Sequence, residues 1–284
     1  MPRAVEHAPD ELTGDRLKRI GEGIGKVVYA SDHWVVHRER SPREIIALIL
    51  LWKILRRFPW GRRMRGRSSG LIRLMRAMIQ SAIAIVPKRL WYTKHVEEVL
   101  TTHRRRDRTG EKLARLHLAD TELIPATITF PPITVLIGGW PGWLVVDKAT
   151  ERVETTLDRL IDTLAAAGDF ESVDHWLHRL LDTRQIGWQL GLFSVDAHLK
   201  NFGVIGDRIV LIDTGGLTNR WEEIDRKLSL DVRDIEPHVQ LGLDKALATQ
   251  PEIARRFNVR WRSLVNRESI REHWPEPPIT TPVR

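Results

Sequence analysis

Apolar and polar positions alternate at short range near the start of the chain and give way, after residue 41, to long apolar runs. In LKRIGEGIGKVVYASDHWVVHRE (residues 17–39) the runs Val27-Val28-Tyr29 and Trp34-Val35-Val36 predict strands of a meander, with a turn at Ser31-Asp32. Ser41-Pro42 then predicts a helix start, with Ser as the cap, Pro in the first turn and Glu44 following it. The helix EIIALILLWKIL is apolar almost all round, which predicts burial on several sides, and Pro59 and Gly61 end it. Residues 71–86, LIRLMRAMIQSAIAIV, predict a second helix with Arg73, Arg76 and Gln80 as a narrow polar stripe. That run is too short and too charged for a membrane span. It suits core or partner packing, with a bilayer surface as the alternative.

Further along, strands are predicted at 126–130, 133–138 and 143–147, with the turn GGWPG between the last two. The pattern becomes helical at 151–167 and again at about 171–191, where Val173, Trp176, Leu177, Leu180 and Leu181 share a face. The stretch SVDAHLKNFGVIGDRIVLIDTGG (194–216) then joins two short apolar runs through Gly206-Asp207, a predicted hairpin. Residues 217–274 read as mostly helical, and EPPITTPVR as a loose tail. This order predicts an α+β chain in two lobes.

Composition narrows the choice only a little. The chain has 284 residues, 42% of them hydrophobic and 29% charged, which suits a globular protein with a sizeable core. The absence of cysteine excludes disulfides and Cys-based zinc sites. MPRAVEHAPDELTGD lacks the apolar segment of a signal peptide, so a cytoplasmic location is expected, with membrane association as a possibility. The net charge of +8 is concentrated: Arg56, Arg57, Arg62, Arg63, Arg65 and Arg67 fall within twelve residues, and Arg104, Arg105 and Arg106 follow. Such an excess favours anionic partners or is a solvated loop. No nucleic-acid-binding signature accompanies it, so nucleic acid is not the expected partner.

Candidate chemistry lies around the hairpin. Asp196 on a loop can accept the proton of an attacking hydroxyl, while Asn201 and Asp213 offer neutral and charged oxygens to a hard cation. The bland reading is a hairpin whose Asp and Asn only shape turns. D-x-x-x-x-N, a strand hairpin and D-x-G resemble the catalytic and metal-binding loops of the protein-kinase-like superfamily. The form D-x-H-x-x-N is most similar to the aminoglycoside and choline kinase branch and its bacterial relatives. The resemblance implies Asp196 as catalytic base and Asn201 and Asp213 as magnesium ligands. Gly215 matches the glycine of the metal motif. His198 and Lys200 are further candidates, for orienting the loop or touching the transferred phosphoryl group. GEGIGKVVYA (21–30) resembles the glycine-rich loop of a kinase small lobe, with Gly21, Gly23 and Gly25 admitting phosphate to backbone amides.

The pattern is also broken in two places. Where the kinase lysine of the third strand stands, this chain has Val35-Val36-His37-Arg38. Lys26 falls at the loop's third glycine, as in the with-no-lysine kinases, so either Lys26 or Arg38 is the phosphate cation, both expected to point into one cleft. Glu44 is the expected ion-pair partner, with Glu39 as runner-up. Ser194 replaces the His that often precedes the Asp. The resemblance implies a small lobe over 15–148 with an arginine-rich helical insert at about 56–95. A helical lobe over 149–274 and a tail at 275–284 follow. It places adenine against the backbone of Val146 to Lys148, the expected link. The implied activity is ATP- and magnesium-dependent phosphoryl transfer to a hydroxyl of a small molecule, lipid, glycan or protein. The alternative is a pseudokinase, acting as a nucleotide-binding or interaction module.

Overall fold

A computed structural model describes residues 3–14, 16–22, 25–57, 94–138, 142–196, 198–230 and 235–275. The predicted helix at 71–86, the cluster from Arg62 to Arg67, the stop at Pro59 and Gly61, and most of the tail lie outside these residues. The fold is mixed α+β, and the chain divides into two compact units. One comprises Ala4–Arg105 and Ile128–Thr150; the other holds Arg106–Thr127 and Glu151 onward.

The first unit is built on a six-stranded sheet. Its strands are β1 (Arg3–Ala4), β2 (Lys18–Glu22), β3 (Lys26–Ala30), β4 (Trp34–Glu39), β5 (Thr127–Leu136) and β6 (Trp143–Glu151), in the order β1-β5-β6-β4-β3-β2. The meander over β2, β3 and β4 forms as predicted, and Ser31 closes its second turn through its own N–H to the Trp34 carbonyl (2.9 Å). A short helix α1 (Asp10–Gly14) precedes it, and α2 (Pro42–Arg57) follows it. Ser41 and Glu44 form a reciprocal capping box at the start of α2: the Ser41 N–H donates to Glu44 Oε2 (2.9 Å) and the Glu44 N–H to Ser41 Oγ (3.3 Å). Ile45, Ile46, Ala47, Leu48 and Leu51 are buried, so α2 is enclosed on several sides in its first turns.

The predicted strands at 126–130 and 133–138 are instead one continuous strand running through Pro131-Pro132. Two prolines cannot donate to a ladder, but β5 is flanked on that side only by the two-residue β1. The Val5 N–H meets the Thr129 carbonyl at one end, and the Leu17 N–H meets the Leu136 carbonyl at the other. Both prolines fall in the gap and are exposed.

Helix α3 (Lys94–His117) was not legible in the hydrophobic pattern. The second unit takes in its C-terminal half, followed by β7 (Thr155–Thr156), α4 (Leu157–Ala167), α5 (Phe170–Gln189) and β8 (Phe193–Ser194). A 3₁₀ turn (Leu199–Asn201), the hairpin β9 (Phe202–Ile205) and β10 (Arg208–Leu211), and β11 (Leu217–Thr218) come next. The unit ends in α6 (Trp221–Leu230), α7 (Pro237–Gln240), α8 (Pro251–Leu264) and α9 (Arg267–His273). The helix expected from 151 begins only at Leu157, because residues to Glu151 continue β6 and Thr155–Thr156 pair with β9. Its partner helix spans Phe170–Gln189, with Val173, Leu177, Leu180 and Leu181 buried and Trp176 half-buried. Gly168, at φ 76°, ends α4, and the Asp169 carboxylate caps α5 by accepting from the Ser172 N–H (3.1 Å).

β9 and β10 pair antiparallel about Gly206-Asp207, with Gly206 in the left-handed region the turn requires. They form a separate three-stranded sheet with β7, so the GEGIG strand and the IVLI strand belong to different sheets. No helix among the described residues is long and apolar enough to cross a membrane. Gly203 in β9 lies against the Val153 side chain, where an added Cβ would stand 2.5 Å from Val153 Cγ1. Gly203→Ala is therefore expected to destabilise the protein by about 1–3 kcal/mol, the scale of overpacking, read from urea unfolding midpoints.

Candidate functional site

The residues singled out in sequence fall into two groups, one in each unit. In the sheet unit, Gly21 ends β2 beside Glu22, Gly25 opens the approach to β3, and Gly23 lies outside the described residues. The Gly25 carbonyl accepts the Arg40 N–H (2.7 Å), and Glu22 is ion-paired with both Arg40 and Arg19. Arg40, whose side chain is fully enclosed, thus ties the glycine-rich segment to the β4–α2 connection. Its role was not legible: a charged residue before S-P reads as surface.

Antiparallel register fixes which way the two candidate cations point. Val27 is opposite Arg38 and Tyr29 opposite Val36, while Lys26 is opposite Glu39. Side chains alternate along a strand, so Arg38 shares the face of Val27, Tyr29 and Val36, all core residues. Lys26 lies on the other face. The expectation that both point into one cleft is therefore corrected by the parity of the strands. Arg38 makes a bidentate pair with Glu44, Nη1 to Oε2 at 3.0 Å and Nη2 to Oε1 at 2.7 Å. Glu44 rather than Glu39 is the partner. Lys26 has no ion-pair partner among the described residues.

Burial alone would raise the Glu44 carboxyl, but hydrogen bonds from Arg38 and Ser41 outweigh it and hold the group below the usual carboxylate range. On Arg38, the Glu44 hydrogen bond likewise outweighs burial and raises its pKa. Val146 and Lys148 lie within β6, not in a link: the units part after Thr150, and the Val146 side chain is buried in the sheet's core.

In the second unit the three oxygen-bearing residues are drawn together. Asn201, only 5% exposed, donates from Nδ2 to the Asp196 carbonyl (3.0 Å). Its own carbonyl accepts the N–H of Ile212 (2.9 Å) and, more weakly, that of Asp213 (3.4 Å). Ser194, where the resemblance leads one to expect His, also donates from Oγ to the Asp196 carbonyl (3.2 Å). β8 pairs with β11, and the Val195 N–H donates to the Gly216 carbonyl (2.9 Å), so the Asp196 loop lies alongside Gly216. The Asp213 carboxylate accepts the Gly215 N–H at Oδ1 (3.0 Å). Both Asp196 and Asp213 carboxylates reach solvent. His198 is exposed, with Nε2 3.6 Å from Asp196 Oδ1, and Lys200 is exposed on the 3₁₀ turn.

Two residues on α3 complete this site and carried no sequence signal. A Cβ on Gly110 would stand 1.8 Å from the Thr214 carbonyl oxygen, so the helix admits the Asp213–Gly216 turn only because it carries glycine there. A Cβ on Gly215 would meet Asp107 Oδ1 at 2.7 Å and Asp213 Oδ1 at 3.2 Å, which brings both carboxylates over one glycine. Among the described residues no three His, Cys, Asp or Glu side chains form a metal-holding cluster. The side-chain oxygens that meet at the turn are those of Asp213 and Asp107, hard donors of the kind magnesium takes when phosphate and water complete its shell. No family model matches the chain, and no curated protein matches it.

Two outcomes are expected. Stability contributed by the depressed Glu44 carboxyl is complete above the unfolded carboxylate pKa and is lost as pH falls through the lower folded value. Glu44→Gln should therefore flatten the acid side of the stability–pH curve, measured by thermal unfolding. Gly110→Ala, which in an open helix would gain about 1 kcal/mol, should instead lower the melting midpoint. It should also speed hydrogen exchange of amides 212–217.

Proposed function

We propose that the chain is an ATP- and magnesium-dependent phosphotransferase with a kinase-like two-lobed fold, acting on a hydroxyl of an acceptor still to be identified. The observation that carries this reading is the bracket around Asn201, whose side-chain amide and backbone carbonyl join the Asp196 loop to the Asp213 turn. A hairpin whose Asp and Asn merely shape turns has no need to bury an amide between two loops. The glycine-rich segment in a separate sheet, with the Arg38–Glu44 pair beside it, supports the same reading.

In this reading Asp196 accepts the hydroxyl proton, and its solvent-reaching carboxylate suits a base that meets its substrate from outside. Asp213 and Asn201 hold magnesium, which when bound neutralises phosphate charge. His198 orients the loop, and Lys200 faces phosphate. Gly21, Gly23 and Gly25 receive the nucleotide phosphates. Arg38 shares the core face of the sheet and pairs with the helix glutamate, which favours it over Lys26 as the lysine's substitute.

The second reading is a pseudokinase. Glu44 takes one N–H from each terminal nitrogen of Arg38, and the buried Nε has no hydrogen-bond partner among the described residues. A chain that binds nucleotide without turning it over, or that serves as an interaction module, fits that feature.

Isothermal calorimetry with ATP and magnesium separates the roles. Asp213→Asn removes a formal charge from the cation site and should abolish most magnesium-dependent binding. Asp196→Asn should leave binding within about twofold and lower turnover, since a base acts chiefly in the transition state. Equal effects of the two on binding would refute the assignment, and ATP binding indifferent to magnesium would favour the pseudokinase.

A further inference from the structure

Among the described side chains of α3, every charged one in the exposed class is arginine or lysine. Arg108, Lys112 and Arg115 recur at helical spacing along one row, all exposed, and Arg105 continues the row one turn earlier. Arg115 is paired with Glu111 on the same helix (2.8 Å), whereas Arg108 and Lys112 have no acidic partner among the described residues. Leu116 stands in the same row and is 67% exposed, the most exposed large apolar side chain among the described residues.

The chain leading into α3 has the same character. From Ile45 to Val96 it contains twelve Lys and Arg residues and no Asp or Glu. Acid-free sequence of that length removes the internal partners that would otherwise neutralise a cationic surface.

We propose that the Arg108–Lys112–Arg115 row of α3, with Leu116, docks the protein on an anionic lipid surface. Cations draw such a helix to acidic headgroups, and an apolar side chain among them enters the boundary between headgroup and acyl chain. A nucleic-acid backbone would answer the charge equally but gives an exposed leucine nothing to enter; lipid answers both. The inference stands apart from the nucleotide reading, because it uses none of the residues assigned to phosphoryl transfer.

The test is sedimentation of the full chain with phosphatidylcholine vesicles, with and without phosphatidylglycerol. Binding is expected only to the anionic vesicles, and to fall steeply as salt rises from about 0.1 M to about 0.5 M. Arg108→Glu with Lys112→Glu should raise the lipid concentration for half-binding by about tenfold or more. The Gln pair should have a smaller effect of the same sign, and Leu116→Ser should weaken binding with no change in salt slope. Arg159→Glu with Lys245→Glu, two exposed cations elsewhere, makes the same change in net charge and should retain most binding. The proposal is overturned if neutral vesicles bind equally, if no vesicles bind, or if the control pair loses as much as the α3 pair. Duplex DNA binding more tightly than anionic vesicles, through the same row, would overturn it in favour of nucleic acid.

Discussion

A buried primary amide has to satisfy its donors, and the position of Asn201 in the second unit follows from that requirement. With 5% exposure it cannot turn to water, so Nδ2 takes the Asp196 carbonyl as its acceptor. The backbone of the same residue, at the end of a 3₁₀ turn, accepts from the start of the Asp213 segment. One residue thereby fixes two loops that are brought back to each other by the β9–β10 hairpin. Ser194 adds a second donor to the Asp196 carbonyl, so a hydroxyl supplies part of the support that an imidazole was expected to give. The carboxylates at either end remain solvent-facing while their backbones are held. That division, fixed main chain and accessible side chain, is what a positioned base or cation ligand requires.

Strand parity plays the corresponding role in the sheet unit. A strand's side chains change face at every residue, so the β3–β4 register decides which cation joins Glu44 before any electrostatics enters. Arg38 falls with Val27, Tyr29 and Val36, and the capping box at Ser41 holds Glu44 within reach of its fork. Half-burial then strengthens the pair while increasing the cost of breaking it. Lys26, one register position away, belongs to the other face whatever its charge.

The sequence was most legible where local rules and tertiary structure agree. The Gly206-Asp207 hairpin, the Ser31-Asp32 turn, the Ser41–Glu44 cap and the apolar face of α5 all appear where pattern put them. It was least legible where tertiary contact overrides pattern. α3 is rich in charge, and its buried positions among the described side chains, Gly110, Leu113 and Ala114, include one small residue and one glycine, too little for a periodicity. β7 and β11 have two residues each and exist only because a neighbour pairs with them. The prolines of β5 signalled a break that an uncovered strand edge does not impose. Asp107 and Gly110 belong to the candidate site by proximity to Thr214 and Gly215, far away in sequence.

Beneath the Asp196 loop the same problem of holding a loop is met by different chemistry. Arg184 on α5 is 7% exposed, and its guanidinium lies 4.8 Å from the Trp261 ring centre and 5.6 Å from that of Phe193. Phe193 begins β8, two residues before Val195, so a buried cation set against two rings joins α5 and α8 to the strand that leads into the loop. Attraction to a ring face does not depend on a group that titrates in the acid range. Arg38 is held by a carboxylate, and that pair holds Glu44 below the usual carboxylate range. Acid that protonates Glu44 therefore releases the sheet-side pair.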